Sequence, residues 1–263
     1  MTEKFTNPVL IKDIERKIGK IRRRGLNPIK FGILRVREHY IEKEARTHSY
    51  KIEDNRKNET SRKYRLNKKH KIREGAKNIR KALEWGFKNF DFKTFDEEFI
   101  KEIGGRIDPE YHQNHPARYR SYDEGIRILG GPCMPPRPEK VKREMESYLA
   151  ALQIIMSEES LAAVIEAAAF AHLHLVRIHP FNDTNGRTAR TLQNIILKTK
   201  DLPPAIIYAG EKIDYYRRVQ TGIEAWKERT SESAQRNIDV KGEYDWYNYI
   251  AGKVSSSLDR LLT

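Results

Sequence analysis

The sequence predicts a mainly α fold with one small β-hairpin. The main observation is a pair of helical segments that flank a short polar loop in the last third of the chain. The first, Leu161–Ile178, is almost entirely apolar, and the second repeats apolar residues at helical spacing, as at Leu192 and Ile196. A shorter segment, 117–136, alternates and ends in glycines and prolines, which is typical of a hairpin or an extended flap.

The remaining helices are predicted from the same spacing and from residues that begin or end helices. In the N-terminal part, one predicted helix ends near Thr47 and the next runs from about residues 58–61 to Trp85. Asp96 is placed to cap a helix, and Pro138 opens another. Two further helices are predicted near the end of the chain, at Ile213–Trp226 and Tyr244–Leu262.

The charge is concentrated in the first third of the chain. The net charge is +14, and residues 1–84 carry 26 Lys and Arg against 11 Asp and Glu. This asymmetry is typical of a solvated helical face, but it also fits a nucleic-acid-binding module. The densest clusters, 22–24 and 68–71, lack the interleaved aromatics of single-strand binders.

The composition favours a cytoplasmic protein with no membrane partner. Glu166 and Arg177 interrupt the longest apolar run, and the N-terminus lacks the apolar core of a signal peptide. The single cysteine, Cys133, excludes an internal disulfide. His172 and His174 are two residues apart and cannot share a helix face for a metal, so we expect them in the core.

The loop between the two helical segments, residues 179–190, has the composition of a phosphate site. Pro180 disfavours a helical conformation at His179, so the first helix ends there, and the second helix begins a few residues later. The start of a helix attracts anions, and Gly186 lets a ligand approach the backbone. Arg187 and Arg190 lie three residues apart and suit bidentate binding of phosphate oxygens.

Two further side chains of the loop complete a reaction site. Asp183 is a carboxylate beside the expected phosphates, which is the usual way to hold Mg²⁺. His179 lies at the edge of the site, where it can take a proton from an incoming hydroxyl. From the residues alone, the loop predicts nucleotidyl or phosphoryl transfer.

The stretch His-Pro-Phe-Asn-Asp-Thr-Asn-Gly-Arg-Thr-Ala-Arg resembles the motif of the Fic family, His-x-Phe-x-Asp/Glu-Gly-Asn-Gly-Arg-x-x-Arg. It departs from the motif only at Thr184, where the family usually has glycine. The resemblance implies transfer of AMP from ATP to a hydroxyl of a protein, with His179 as general base and Asp183 holding Mg²⁺. It places the nucleotide phosphates on the residues that follow, namely Thr184, Asn185, Gly186, Arg187 and Arg190.

The resemblance also assigns roles outside the loop. Ser49 and Glu53 resemble the Ser/Thr-x-x-x-Glu pattern of the inhibitory helix that many Fic proteins carry, within segment 47–55. In the class with an N-terminal inhibitory helix, this glutamate pairs with the second arginine, here Arg190. The hairpin would be the Fic flap, which binds the target backbone through Ile126, Arg127 and Ile128. Tyr216 is expected in the adenine pocket.

On this interpretation the chain has two parts: a basic helical region, 1–84, with the inhibitory segment, and a Fic-type helical core, 85–263. The predicted function is that of a protein adenylyltransferase, an ATP- and Mg²⁺-dependent enzyme that acts on Ser, Thr or Tyr of a target protein and on itself. The alternatives are transfer of another phosphate-linked group such as phosphocholine, removal of AMP, or the nucleic-acid-binding module.

Overall fold

The structure is a computed structural model that describes residues 5–53, 62–122, 133–231 and 240–263, the side chains of 62–67 excepted. These residues form a helical protein. Its helices, in chain order, are α1 (Pro8–Gly25), α2 (Pro28–Glu53), α3 (Arg62–Asn89), α4 (Glu97–Ile107), α5 (Pro138–Met156), α6 (Leu161–Ile178), α7 (Asn185–Lys198), α8 (Lys212–Thr230) and α9 (Lys241–Leu262). A single 3₁₀ turn, Ala209–Glu211, precedes α8.

The mainly α prediction is confirmed, whereas the hairpin is not seen. Across the described ranges no residue is in a strand, and 117–122 run as irregular backbone. The flap residues predicted to bind a target lie outside the described residues, so their role stays a prediction: Ile126, Arg127 and Ile128.

Helix α6 lies at the centre of the fold. Ser160 caps it by accepting a hydrogen bond from Ala163 N at 3.1 Å. Most of its residues are apolar and buried, and α5, α7, α8 and α9 pack around it. The helix is long and apolar enough to cross a membrane, but 83% of it is buried inside the protein. It is therefore the core helix of this fold.

Helix α2 extends further than the sequence predicted. The expected end near Thr47 is wrong, because the buried positions continue at helical spacing from Leu34 and Ile41 through Ala45 to Ile52. Most of the apolar residues that suggested the shorter helix are instead exposed: Phe31, Ile33, Val36 and Tyr40. Residues 47–53 of the predicted inhibitory segment are thus the last turns of one long helix.

The N-terminal helices share one apolar core with the rest of the chain. Ile14 of α1 is buried beside α9, and Ile79 and Leu83 of α3 pack near α4 and α7. Trp85 of α3 contacts Phe99 of α4 with ring centroids 5.2 Å apart. The division of the chain at residue 85 stays a prediction, and the apolar cluster is continuous across it.

The connection between α6 and α7 forms the predicted loop. The chain leaves α6 at His179, whose backbone is left-handed with φ 52°, while its N–H donates to Leu175 O at 2.9 Å. Helix α7 begins at Asn185, after Thr184 in a second left-handed conformation. The left-handed residues His179 and Thr184 are the first and last residues of this six-residue loop. The loop lies at one end of the pair formed by α6 and α7.

Candidate active site

Phe181 and Asn185 fix the conformation of the loop. The Phe181 ring is fully buried, where it stacks on Tyr119 with centroids 6.1 Å apart. The Asn185 side chain accepts a hydrogen bond from Phe181 N at 2.9 Å and donates to Phe181 O at 2.7 Å. Because one amide binds both backbone groups of Phe181, the loop is held in a single shape.

His179 is held in the protonation state of a general base. Its Nδ1 donates to Val176 O at 3.3 Å, which leaves the lone pair on Nε2. Burial lowers the pKa of His179 to about 4, so the ring is neutral at pH 7. Arg120, which the sequence analysis did not select, donates from Nε to His179 O at 2.8 Å and from its backbone N–H to Pro180 O at 2.8 Å.

The first turn of α7 presents backbone N–H groups that could bind an anion. The first intrahelical bond of this region runs from Thr188 N to Thr184 O, so the N–H groups of Asn185, Gly186 and Arg187 have no partner within the helix. These N–H groups and the helix dipole together attract negative charge. The backbone of the loop is therefore suited to the phosphates that the sequence predicted here.

Arg187 is surrounded by carboxylates. Its guanidinium donates to Glu53 Oε2 at 2.7 Å, to Asp183 Oδ1 at 3.1 Å and to Asp108 Oδ2 at 3.3 Å. Burial alone would lower the pKa of Arg187, but these three carboxylates outweigh it and raise the pKa. Neither the Glu53 contact nor the Asp108 contact was predicted, and nothing in the sequence around Asp108 marks it.

Arg190 is buried and fully engaged by α2. It donates from Nη2 to Glu53 Oε1 at 2.6 Å and to Ser49 O at 2.9 Å, and from Nε to Ser49 Oγ at 3.0 Å. Its remaining nitrogen, Nη1, donates to the Tyr215 hydroxyl at 3.2 Å. The structure thus brings together Ser49, Glu53 and Arg190, with Glu53 on the arginine to which the resemblance assigned it.

Glu53 divides its two carboxylate oxygens between the two arginines. Oε1 lies on Arg190 and Oε2 on Arg187, so one side chain occupies both expected phosphate ligands. Gly186 makes this approach possible, since a Cβ at that position would overlap Glu53 Oε1. The last residues of the predicted segment, Asp54 and Asn55, lie outside the described residues.

A buried polar network supports Arg190 from behind. The His172 ring contacts Gln193 Oε1 through Nδ1 at 2.6 Å and the Tyr215 hydroxyl through Nε2 at 2.9 Å. Burial lowers the pKa of His172 to about 3, so the ring is neutral and Nε2 accepts from Tyr215. The hydroxyl oxygen of Tyr215 then remains free to accept from Arg190. His172 and His174 are core residues, as predicted.

Asp183 lies at the solvent side of the loop. Its side chain is 48% exposed, and Oδ1 accepts from Thr184 N at 2.6 Å as well as from Arg187. No cluster of three potential metal ligands occurs within the described ranges. Mg²⁺ commonly takes only one or two carboxylates and completes its shell with phosphates and waters. An exposed carboxylate beside an anion site therefore fits the predicted Mg²⁺ ligand.

Tyr216 contacts α2 rather than an open pocket. Its hydroxyl donates to Ile52 O at 3.2 Å, and its ring lies beside that of Tyr215 with centroids 5.2 Å apart. Its predicted place in the adenine pocket stays a prediction. In this conformation Tyr216 holds the carbonyl that immediately precedes Glu53.

Thr184 is the single departure from the Fic motif, and its backbone is left-handed. The residue has φ 71° and is buried, and its Oγ1 lies 3.4 Å from His112 Nε2. A β-branched residue in this region carries a strain of about 1–3 kcal/mol that glycine would not carry. Thr184 therefore adopts the left-handed backbone conformation that glycine adopts without strain.

We expect Thr184→Gly to stabilise the protein slightly. Relief of backbone strain is partly offset by the greater entropy of glycine in the unfolded chain, which costs about 0.5–1 kcal/mol. The net gain in the free energy of unfolding, measured by urea denaturation, should therefore be about 0–2.5 kcal/mol. Thr184→Val keeps the β-branch and should give no gain. A loss of more than about 1 kcal/mol with glycine would mean that the Thr184 side chain stabilises the loop.

Comparison with known protein families supports the resemblance found in the sequence. The sequence model of the Fic/DOC family matches residues 94–197, which include the whole loop. A protein named protein adenylyltransferase Fic, from Nematostella vectensis, is 38% identical over 117 residues. A protein of the same name from Aedes aegypti is 36% identical over 143 residues.

These relatives are much longer proteins. The matched segments are 44% and 51% of this chain, but only 26% of the Nematostella protein and 25% of the Aedes protein. The chain thus matches about a quarter of the length of these curated relatives.

Solved structures share the fold over nearly the whole chain. A Fic domain containing signaling protein from Bacteroides thetaiotaomicron superposes with a TM-score of 0.71 at 23% identity, covering 94% of each chain. A fragment of Fic-1 from C. elegans gives a TM-score of 0.64 at 19% identity, covering 97% of this chain and 72% of that fragment. At these identities the likeness describes the fold, including the N-terminal helices.

Proposed function

We propose that this chain, of which residues 94–197 match the Fic/DOC family model, is a protein adenylyltransferase that moves AMP from ATP to a Ser, Thr or Tyr hydroxyl of a protein. The observation that carries this proposal is the loop 179–190, where a neutral histidine, an anion site and two arginines meet. The names of the relatives from Nematostella vectensis and Aedes aegypti point to the same reaction.

The reaction follows from the positions of these groups. The hydroxyl oxygen of the target attacks the α-phosphorus of ATP, and the bond from that phosphorus to the bridging oxygen of pyrophosphate breaks. His179 Nε2 takes the hydroxyl proton, since Nδ1 already donates to Val176 O. The free N–H groups at the start of α7 stabilise the charge on the phosphate oxygens, and pyrophosphate leaves.

The two arginines would hold the leaving part of ATP. Arg187 and Arg190 project from one side of α7 and would bind the β- and γ-phosphates once they are free. Asp183 would hold Mg²⁺, which when bound neutralises charge on the phosphate oxygens. All of these groups lie on one loop and one helix, so a single rigid element aligns the reactant.

The same contacts suggest that the resting protein is inhibited. Glu53 lies 2.7 Å from Arg187 and 2.6 Å from Arg190, where it replaces the phosphates as their anionic partner. ATP would then bind with its γ-phosphate displaced and its α-phosphate poorly aligned. Inhibition through α2 is therefore part of the proposal, and it involves both arginines rather than Arg190 alone.

The target and location are also proposals. The solved Fic structures with this fold include IbpAFic2 in complex with adenylylated Cdc42, at a TM-score of 0.53 and 15% identity. We propose a protein target for this chain as well, together with self-modification, in the cytoplasm. ATP is the proposed nucleotide.

Two parallel labelling reactions test the transfer. The protein is incubated with Mg²⁺ and ATP labelled at the α-phosphate or at the γ-phosphate, and its own mass is followed. AMP transfer places only the α-label on the protein and adds the mass of one AMP. Label from the γ-phosphate, or transfer from CDP-choline in place of ATP, would favour another phosphate-linked group. Loss of AMP from protein modified beforehand would favour removal.

Asp183→Ala should lower the rate of transfer at saturating ATP, because the proposed Mg²⁺ ligand is lost. The expected loss is about 100-fold, similar to that for removing one electrostatic group from a transition state. The matched control is Asp201→Ala, an exposed aspartate after α7. The readout is the initial rate of AMP incorporation across a Mg²⁺ titration. Activity that survives both Asp183→Ala and EDTA would contradict the assignment.

A further inference from the structure

A groove of about 800 Å³ lies between α2 and α3, outside the proposed active site. Of the described side chains that line it, seven are Lys or Arg and one is glutamate, Glu74. It shares no lining residue with the loop 179–190. Much of the excess positive charge of the first third of the chain therefore lines one concave surface. It is not spread evenly over a solvent-exposed helix face.

Both walls of the groove present cations at helical spacing. On α2, Lys43 and Lys51 are two turns apart, with Thr47 between them. The facing wall on α3 repeats the pattern over three turns, at Lys69, Arg73, Lys77 and Arg80. Cations four residues apart repel one another along each helix, and the two rows also face each other across the groove.

The acidic residues nearby do not neutralise this charge. Among the described residues, Lys43, Lys51, Lys69 and Arg73 take part in no ion pair. The pairs that do form are long, such as Arg46 with Glu42 at 3.8 Å and Lys77 with Glu74 at 3.6 Å. Cations on an open surface would move apart to reduce their repulsion. A bound polyanion would offset the repulsion between the cations that line this groove.

Arg46 shows the crowding most clearly. Its side chain is only 11% exposed. Burial lowers its pKa, Glu42 opposes the shift, and the guanidinium of Arg80 across the groove adds to it. A partly buried arginine that faces another arginine is a ready ligand for phosphate oxygens.

We propose that this groove binds a small molecule carrying several phosphate groups. The volume lies within the range of small-molecule sites. Among the described residues, the lining contains no Phe, Tyr or Trp on which nucleic-acid bases could stack, while Ile72 and Ala76 form an apolar floor between the cations. A compact polyphosphate matches the groove in charge and size, and single-stranded nucleic acid does not.

Calorimetric titration of the full chain with inorganic tripolyphosphate at constant ionic strength tests the proposal. We expect one binding site per chain, and an affinity at least tenfold lower in the triple variant Lys43→Gln, Arg73→Gln, Lys77→Gln. The matched control removes the same charge from exposed residues outside the groove, Lys88→Gln, Lys142→Gln and Arg143→Gln. It should bind like the unmodified protein. The titration does not depend on transfer activity.

Three results would overturn the proposal. Equal weakening in both triple variants would mean that only net charge matters. Binding that persists in the groove variant and is lost in Arg187→Gln would place the anion at the active loop. The third result is that tripolyphosphate does not bind, whereas single-stranded oligonucleotides bind the groove with an affinity that rises with their length. That result would identify a nucleic-acid interface instead.

Discussion

Glu53→Gly is expected to raise the rate of self-modification on the order of a hundredfold. The glutamate occupies Arg187 and Arg190 at 2.7 Å and 2.6 Å, so its removal opens the side of both guanidiniums that it covers to the phosphates of ATP. The gain comes from alignment of the α-phosphate rather than from tighter binding, because a misplaced reactant loses rate without losing affinity. Initial rates of AMP incorporation from α-labelled ATP, with ATP affinity measured separately, distinguish the two.

Two further variants make this result specific. Glu44→Gly removes a carboxylate from the same helix, where it pairs with Arg260 away from the loop, and should leave the rate unchanged. Glu53→Gly combined with His179→Ala should stay inactive, since freeing the arginines does not replace the base. If Glu53→Gly and the unmodified chain react at the same rate, the ion pairs are structural and the inhibition proposal is wrong.

His179→Ala should lower transfer by about 10²–10⁴-fold, the usual contribution of a general base. The N–H groups of α7 and the two arginines remain, so ATP affinity should change little. His70→Ala, which removes an exposed histidine on α3, is the control and should be fully active. If the His179→Ala variant forms product at the normal rate, His179 is not the general base.

The pH dependence provides a second check on His179. The neutral ring is the base, and burial lowers its pKa to about 4 in the free protein. The active form is therefore fully populated from pH 6 to 8, and it is lost only as the pH falls through about 4. We therefore expect that titration of His179 causes no change in kcat/KM between pH 6 and 8. If kcat/KM instead falls with a midpoint near pH 6.5, and this fall disappears in His179→Ala, then His179 titrates like a solvent-exposed histidine.

The active loop was predictable because its information is local. Pro180 ends one helix, Gly186 and the polar turn begin the next, and helical spacing alone puts Arg187 and Arg190 on one side. The buried helix α6 was equally clear from its composition. The one local feature that the motif left open was Thr184. Its positive φ emerged only from the structure, since the loop closes between two helices whose ends are set by packing.

The reach of α2 was not predictable from its own residues. The exposed apolar residues Ile33, Val36 and Tyr40 suggested a helix that stops early, whereas the buried ones continue to Ile52. Which face of a helix is buried depends on its neighbours, and here α3, α7 and α9 cover the other side. This packing carries Glu53 to the end of α7.

By itself the sequence determined the helical class, the loop and the identity of its chemical groups, because these depend on residues close together in the chain. Only the tertiary structure decided which distant groups reach them. It brought Glu53 to Arg187 as well as to Arg190, which the resemblance had named, added Asp108 to Arg187, and placed Tyr215 and His172 behind Arg190. Such contacts join residues 25 to 137 positions apart along the chain, so spacing within one segment does not show them. They arise because buried arginines must find acceptors wherever packing supplies them.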